Sequence, residues 1–235
     1  MRIFIRYSIL AIALCIAPCA LAASQDIVLG LSSLPSAQGF TYNAAGAHAG
    51  VAESSTFTVG GGVLTQDSIG EYLGTTGAGL YYSLSGIITA AEPSRLVVTT
   101  RCLQVQGSSV YPAGQGGLTF AIANGSVQYA FTLTPTSAYV LGGGGWVAAS
   151  GTWDNTQFAE WTLAYEPPSA CRLYRNGTLV SSTSGGAALA VNRLAFGDFT
   201  GGANARAEIT ALNFLQAGAV PAESASWGMV KALFR

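Results

Sequence analysis

The sequence predicts an all-β fold, a sandwich or barrel of strands, with a short C-terminal helix. Three observations predict it. Short runs of β-branched and aromatic residues recur along the chain and are separated by glycine-rich or Asn-Gly breaks. Only 9% of the 235 residues are charged, whereas ordinary soluble domains carry about 25%. No strand–helix–strand alternation appears, so a parallel α/β sheet is excluded.

The first 23 residues have the pattern of a secretory signal peptide. Arg2 and Arg6 precede the apolar run SILAIALCIAPCALA, which ends in a small-residue Ala-Leu-Ala cleavage site. A lipoprotein signal ending at Cys19 is the alternative, but a proline precedes that cysteine where such a signal needs a small residue. We therefore expect a protein that is secreted, periplasmic or on the cell surface.

The charge balance argues against several partners. Without the signal the chain has eight basic and eleven acidic side chains, a formal net charge of −3. No basic run is present, so the sequence predicts no nucleic-acid partner. No later stretch is apolar for the roughly 20 residues that a membrane-spanning helix needs, so we expect no transmembrane segment in the mature chain.

Residues 24–218 are predicted to form one domain of strands. The pairs Asn124-Gly125 and Asn176-Gly177 each stand between alternating runs, and Asn-Gly favours the positive φ of a type I′ hairpin turn. The spacing of the turn signals along the chain is typical of a sandwich or barrel. The predicted strands are 26–30, 55–59, 63–65, 80–88, 95–105, 118–123, 126–134, 158–165, 171–175, 178–182, 193–196 and 206–215.

Two aromatic groups can be oriented by the period of a strand. Trp161, Leu163 and Tyr165 alternate with other residues, so all three face one side and are predicted to lie in the core. Tyr81 and Tyr82 are adjacent and must face opposite sides, so at most one of them can belong to a surface site.

The tail, residues 219–235, differs from the rest. Trp227, Val230 and Leu233 recur at helical spacing, which predicts a short amphipathic helix. The helix either packs on the sandwich or begins a linker or sorting signal.

Residues 158–215 carry a resemblance to a known family. A strand FAEWTLAY leads to the hairpin LYRNGTLV, then to the turn FGD and a last strand. This order resembles the C-terminal half of the concanavalin A-like lectin/glucanase superfamily, which includes laminin-G-like and pentraxin-like domains. The resemblance covers about a quarter of the chain. It implies a jelly-roll sandwich of two antiparallel sheets in which strands near residues 26–30 and 206–215 are neighbours.

Catalysis is the first function to test, because the superfamily includes glycanases. Its laminarinase-like members carry their carboxylates as E-x-D-x-x-E on one strand, and this chain has no such run. Glu160 and Glu208 lie on predicted strands, but each stands alone and is interpreted as facing solvent. His48 lies in the loop AAGAHAG with no nucleophile beside it. The sequence therefore predicts that the chain is not an enzyme.

Sugar binding requires exposed aromatic faces with polar partners for hydroxyl groups. The segment 142–157 offers both, because it is rich in glycine and holds two tryptophans. The alternative is that both tryptophans are buried anchors at the sheet edge. The candidate ligand-binding residues are Trp146, Trp153, Asp154, Asn155 and Gln157.

Calcium is the one cofactor that the resemblance suggests, since several relatives bind it through Asp and Asn at the rim of the sandwich. Asp198 and Asn204 are the candidate ligands, and Asp154 with Asn155 is a second pair. Calcium takes six to eight oxygen ligands, and neither pair is rich in carboxylates. A tight site is therefore not expected.

Two cysteines remain after the signal, Cys102 and Cys171. An even number in an oxidising compartment predicts one disulfide. Its loop would be about 70 residues long, for which the chain-entropy model gives on the order of 4 kcal/mol of stability. The alternative is two buried free thiols.

The sequence thus predicts a secreted, non-catalytic carbohydrate-binding or adhesion module whose partner is an extracellular glycan or polysaccharide. The alternative is a structural extracellular or cell-envelope module without a glycan ligand. A glycoside hydrolase of the same superfamily is the third possibility.

Overall fold

The computed structural model describes residues 25–44, 46–71, 79–107, 117–199 and 203–216. The predicted signal peptide and C-terminal helix lie outside this part of the chain. The described residues form sixteen strands, one short helix α1 (Glu53–Thr56) and two 3₁₀ turns (Pro35–Gln38 and Gly46–His48). The strands are β1 Gln25–Val28, β2 Thr41–Ala44, β3 Phe57–Gly60, β4 Val63–Asp67, β5 Leu80–Ser85, β6 Ser94–Gly107, β7 Thr119–Asn124, β8 Val127–Leu133, β9 Ala138–Gly142, β10 Gly145–Ala148, β11 Ala159–Glu166, β12 Ala170–Arg175, β13 Thr178–Ser184, β14 Ala187–Ala188, β15 Asn192–Asp198 and β16 Ala203–Gln216.

The strands form two antiparallel sheets of eight strands each, which confirms the predicted sandwich. Sheet A has the order β13-β12-β11-β6-β16-β4-β3, with β1 also paired to β16. Sheet B has the order β10-β9-β8-β7-β15-β5-β2, with β14 paired to β8. Within the described residues, no helix is long and apolar enough to cross a membrane.

The hairpin at Asn176-Gly177 has the predicted turn chemistry. Asn176 has φ 47° and Gly177 has φ 77°, the left-handed values that a type I′ turn requires. The turn pairs β12 with β13. The Asn124-Gly125 break likewise joins β7 to β8, which pair directly.

The core lies between the sheets and is rich in aromatic rings. Trp161 is fully buried. Its ring stacks on Phe131 of sheet B with centroids 6.0 Å apart and meets the edge of Trp153 at 5.6 Å. The predicted core stripe is therefore confirmed, as is the opposite orientation of Tyr82, which is buried, and Tyr81, which is half-buried.

The first and last strands are neighbours, as the resemblance implied. Gln25–Val28 of β1 pairs with the end of β16, with Gln25 opposite Gln216 and Val28 opposite Asn213. The sequence did not predict β2, β9, β10 or β14. The β9–β10 hairpin is built on the GGGG run, which carries none of the β-branched residues that mark a strand.

The predicted disulfide is wrong, because both cysteines are free and buried. Cys171 lies opposite Tyr165, and Tyr165 lies opposite Ser94. Cys102 is eight residues farther along the same strand as Ser94, about 27 Å away at the rise of a β-strand. A disulfide needs Cα atoms about 4.4–6.8 Å apart. Burial raises the pKa of each thiol to about 12.

Candidate functional site

The two tryptophans of the predicted sugar site point to different parts of the sandwich. Trp146 on β10 lies opposite Leu141, and the neighbouring Val140 is buried in the core, so Trp146 faces away from sheet A. Trp153 instead packs inward against the core Trp161. The structure therefore does not bring the two rings together on one surface.

The polar residues of the predicted sugar site organise their own loop. Asn155 is only 1% exposed, and its side-chain amide donates to the carbonyl oxygens of Thr134 at 2.9 Å and Ser137 at 3.0 Å. Asp154 accepts hydrogen bonds from the hydroxyl and backbone N–H of Thr156, and these bonds lower the pKa of Asp154. Gln157 is exposed. Sugar binding by this segment stays a prediction.

The predicted calcium ligands lie near each other but have other partners. Asp198 and Asn204 are both buried. The Ser68 hydroxyl donates to Asp198 at 2.8 Å, and the amide of Asn204 donates to the carbonyl of Glu71 at 3.0 Å. No group of three or more His, Cys, Asp or Glu side chains in the described ranges could hold a metal ion. Calcium binding stays a prediction.

The outer faces of the two sheets, those turned away from the core, differ in chemistry. The centre of sheet B presents Ala121, Ala123, Ala130 and Ala195 outward, each 1% exposed or less. No carboxylate lies on this outer face in the strands that the structure describes. The described strands of sheet B therefore offer no pair of carboxyl groups for acid–base catalysis on this face.

The outer face of sheet A carries ten ionisable side chains of the described chain. Strand pairing aligns five residues in one row across the sheet: Asp26, Leu215, Arg95, Ala164 and Arg172. Residues two apart on each strand add the further rows. The ionisable members of this face are Asp26, Asp67, Arg95, Arg101, Glu160, Glu166, Arg172, Tyr174, Arg206 and Glu208.

Three ion pairs hold this face, and each joins neighbouring strands. They are Arg101–Glu208 at 2.8 Å, Arg172–Glu166 at 2.5 Å and Arg206–Asp67 at 2.8 Å. Asp26, Arg95 and Glu160 have no ion pair within the described part of the chain. These three side chains are exposed and are available to a ligand.

A groove crosses this face from β12 to β1. Its narrower part, about 350 Å³, is lined by Arg95, Glu160, Thr162, Ala164, Glu166, Tyr174 and Gly177. Its wider part, about 630 Å³, is lined by Asp26, Pro93, Ser94, Arg95, Ala164, Tyr165, Glu166, Leu215 and Gln216. The two parts share three lining residues and so adjoin. The narrower part runs along β11 from Glu160 to Glu166, and the wider part runs across β6 and β16 to β1.

Glu160 and Glu208 lie on either side of one strand on this face. Glu160 is opposite Thr99 and Glu208 is opposite Arg101, so β6 separates them. Strand spacing and rise place their Cα atoms about 12 Å apart. An inverting glycosidase places its two carboxyl groups roughly 6.5–9.5 Å apart, with a water molecule between them.

Sequence reasoning treated these two glutamates as isolated. Strand alternation does indicate that Glu160 faces outward, because Trp161 beside it faces the core. It does not indicate that β6 lies between β11 and β16, so the spatial relation of Glu160 to Glu208 could not be found. The backbone at Glu160 is fixed by Asn176, whose side-chain oxygen accepts from the Glu160 N–H at 3.0 Å.

No protein-family model matches the chain, and no curated protein sequence matches it. Solved structures are similar to it. A prokaryotic β-1,3-1,4-glucanase (lichenase) derived from a mouse hindgut metagenome superposes with a TM-score of 0.53 at 10% identity, covering 80% of this chain and 98% of the glucanase. A sialidase superposes with a TM-score of 0.52 at 14% identity, covering 88% of this chain and 19% of the sialidase. This chain thus spans about a fifth of that second protein.

These neighbours correct the functional prediction. A non-catalytic binding or adhesion module, and a chain that is not an enzyme, were expected. The fold is instead shared, over 80% of this chain, with a glucanase. The prediction of a non-enzyme rested on the absence of an E-x-D-x-x-E run. That absence excludes only a catalytic set of carboxylates on a single strand. It does not exclude a pair from two strands. The strand order and the glucanase superposition show that the chain has a two-sheet antiparallel jelly-roll fold.

Proposed function

We propose that this protein is an enzyme that hydrolyses a polysaccharide bound across the outer face of sheet A. The observation that carries the proposal is the pairing of β11 and β16 with the two sides of β6, which places Glu160, in the groove, one strand away from Glu208, outside it. The similarity in fold to a β-1,3-1,4-glucanase supports a glycan as the substrate.

Glu208 is the proposed general base. Arg101 donates to its Oε2 from Nε at 2.9 Å and from Nη2 at 2.8 Å. These two contacts orient the carboxylate on the outer face of sheet A. Glu208 would take a proton from a water molecule as the water oxygen attacks the anomeric carbon.

Glu160 is the proposed general acid. It is exposed and lines the groove, so a glycosidic oxygen can reach it. As the C–O bond breaks, Glu160 protonates the leaving oxygen, and attack by water in a single step inverts the anomeric carbon.

A second candidate activity is suggested by one contact on the outer face of sheet B. Arg193 donates to the Tyr81 hydroxyl at 3.1 Å, and its guanidinium lies 5.3 Å from the centre of the Tyr81 ring. A guanidinium can bind a sugar carboxylate, and a phenol beside it can exchange a proton. This pair could therefore serve β-elimination in a uronic acid polymer.

The products distinguish the two activities. Purified protein is incubated with soluble mixed-linkage β-1,3-1,4-glucan and, separately, with a uronic acid polymer. Hydrolysis releases reducing ends without new ultraviolet absorbance, whereas elimination also forms a conjugated double bond. We expect hydrolysis of the neutral glucan.

Variants locate the activity. Glu160→Gln and Glu208→Gln should each lower kcat by about 10²-fold or more, the usual contribution of a general acid or base. Asp67→Asn is the matched control, since Asp67 forms an ion pair on the same face but does not line the groove. Full activity in both glutamine variants would refute the assignment, and activity lost in Tyr81→Phe alone would favour the lyase.

A further inference from the structure

The Asn176-Gly177 turn lies beside the proposed general acid. Gly177 lines the narrower part of the groove together with Glu160, so the tip of the β12–β13 hairpin borders the proposed substrate site. The last backbone pair between β11 and β12 is Trp161 with Arg175, and β12 ends there, one residue before Asn176. We infer that Asn176 is a positioning residue for Glu160.

Both backbone polar groups of Glu160 are bound by this one residue. The Asn176 N–H donates to the carbonyl oxygen of Glu160 at 2.8 Å. The Glu160 N–H donates to the side-chain oxygen Oδ1 of Asn176 at 3.0 Å. In a regular antiparallel ladder a backbone carbonyl would accept this second bond. Here the main chain turns away at Asn176, and its side-chain amide continues the ladder in place of the carbonyl.

The backbone geometry of the turn restricts which residues can stand at position 176. Asn176 has φ 47°, a left-handed conformation that glycine adopts freely and that asparagine and aspartate tolerate better than other residues. The turn alone would therefore accept glycine. Glycine has no side-chain oxygen to accept from the Glu160 N–H. The turn and the contact with Glu160 together require asparagine or aspartate.

The other Asn-Gly turn shows that this contact is not a general property of the dipeptide. Asn124 also precedes a glycine at the end of a strand. Its Oδ1 accepts from the N–H groups of Ser126 and Val127, each at 3.1 Å, within its own turn. The Oδ1 of Asn176 instead binds a third strand, β11, at a residue 16 positions earlier. A role confined to the hairpin does not account for that contact.

The contact acts close to the end of β11. The strand begins at Ala159, so Glu160 is its second residue, and strand ends fray when their hydrogen bonds are lost. A frayed backbone at Glu160 would not hold the carboxyl group at a fixed place relative to Glu208 across β6. The inference rests on the proposed function, because the positioning matters for catalysis only if Glu160 is the general acid. It predicts an effect on kcat rather than on KM.

Replacement of Asn176 by glycine removes the side-chain oxygen and keeps the turn. Asn176→Gly should lower kcat on mixed-linkage β-1,3-1,4-glucan by about three- to tenfold, the effect of one lost hydrogen bond, and leave KM unchanged. Asn176→Asp keeps an acceptor oxygen and tolerates the positive φ, so kcat should stay within about twofold of the wild-type value. Hydrogen exchange of the Glu160 amide, followed by NMR, should quicken in Asn176→Gly and not in Asn176→Asp.

The second hairpin supplies the matched control. Asn124→Gly removes the corresponding side chain from a turn that does not line the groove, and should leave both kcat and the Glu160 amide unchanged. A wild-type kcat in Asn176→Gly would overturn the inference, even if urea titration found a lower free energy of unfolding, because that result shows a structural role only. An equal fall of kcat in both glycine variants would also overturn it.

Failure of the positioning role and failure of the proposed function give different results. Full activity in Glu160→Gln refutes the proposed function at its own residue. If Glu160→Gln abolishes hydrolysis and Asn176→Gly keeps the wild-type kcat, the hydrolase stands and only the positioning role is refuted.

Discussion

Arg101 holds Glu208 across neighbouring strands by placing two guanidinium nitrogens on one carboxylate oxygen, at 2.9 and 2.8 Å. The same guanidinium lies 4.7 Å from the centre of the Phe158 ring, which fixes it from the side. The second oxygen of Glu208 is not used by this ion pair. This ion pair therefore orients the Glu208 carboxylate on the outer face of sheet A, and the second oxygen can still accept a proton.

Replacement of Arg101 should lower kcat while changing the free energy of unfolding only slightly. The two side chains are 31% and 20% exposed, so solvent screens the pair, and Arg101→Met should change the free energy of unfolding by no more than about 1 kcal/mol. The orientation of Glu208 would be lost, and kcat on β-glucan should fall at least tenfold. Urea titration and initial rates check both. A large loss of stability with an unchanged kcat would show a structural role only.

The cysteines should behave as two inert buried thiols. Titration of the denatured, unreduced protein with a thiol reagent should find both Cys102 and Cys171 free. In the native protein neither should react, because burial raises each pKa to about 12 and the thiolate is the reactive form. A reducing agent should leave the Tm unchanged. A Tm lowered by reduction would contradict the strand register that separates them.

The turn that joins β12 to β13 should depend on Gly177. Gly177 has φ +77° and Gly144 has no positive φ, while neither has an atom within 4 Å of an added Cβ. Gly177→Ala should therefore cost about 1–2 kcal/mol from the left-handed conformation alone. Gly144→Ala should be neutral or slightly stabilising. Equal effects in urea unfolding would refute the type I′ turn.

A buried histidine should make the protein sensitive to acid. His48 is fully buried, neither ring nitrogen has a hydrogen-bond partner, and burial lowers its pKa below the usual 6.5. The unfolded chain then binds a proton more readily than the folded one, so stability is complete above about pH 6.5 and falls as pH decreases. His48→Leu should lose less stability between pH 8 and 5 than the wild-type protein. Parallel pH profiles would contradict this.

Local patterns predicted much of the fold. The alternation of Trp161 with Leu163 identified a core stripe, and Asn176-Gly177 identified a hairpin, because both depend on residues that are close in sequence. The pairing of β1 with β16 followed from the resemblance. Each of these features is confirmed by the strand register.

The site depends on pairing between distant strands, and this the sequence does not reveal. Arg101 and Glu208 are 107 residues apart, and only the placement of β6 beside β16 makes them partners. The register of β12 with β11 and of β11 with β6 likewise separates Cys102 from Cys171. Trp146 and Trp153 are close in sequence, yet the chain turns from the sheet B edge to the core between them, so proximity in sequence was misleading.

The most direct measurement is a map of the residues that respond to a bound glycan. Two-dimensional amide spectra of Glu160→Gln protein are recorded during titration with mixed-linkage β-glucan hexasaccharide. The proposed function predicts shifts concentrated at the groove in β6, β11 and β12, including Arg95, Thr162 and Tyr174. Shifts confined to sheet B or to the Trp153 loop, or no shift at saturating oligosaccharide, would contradict a substrate site on sheet A.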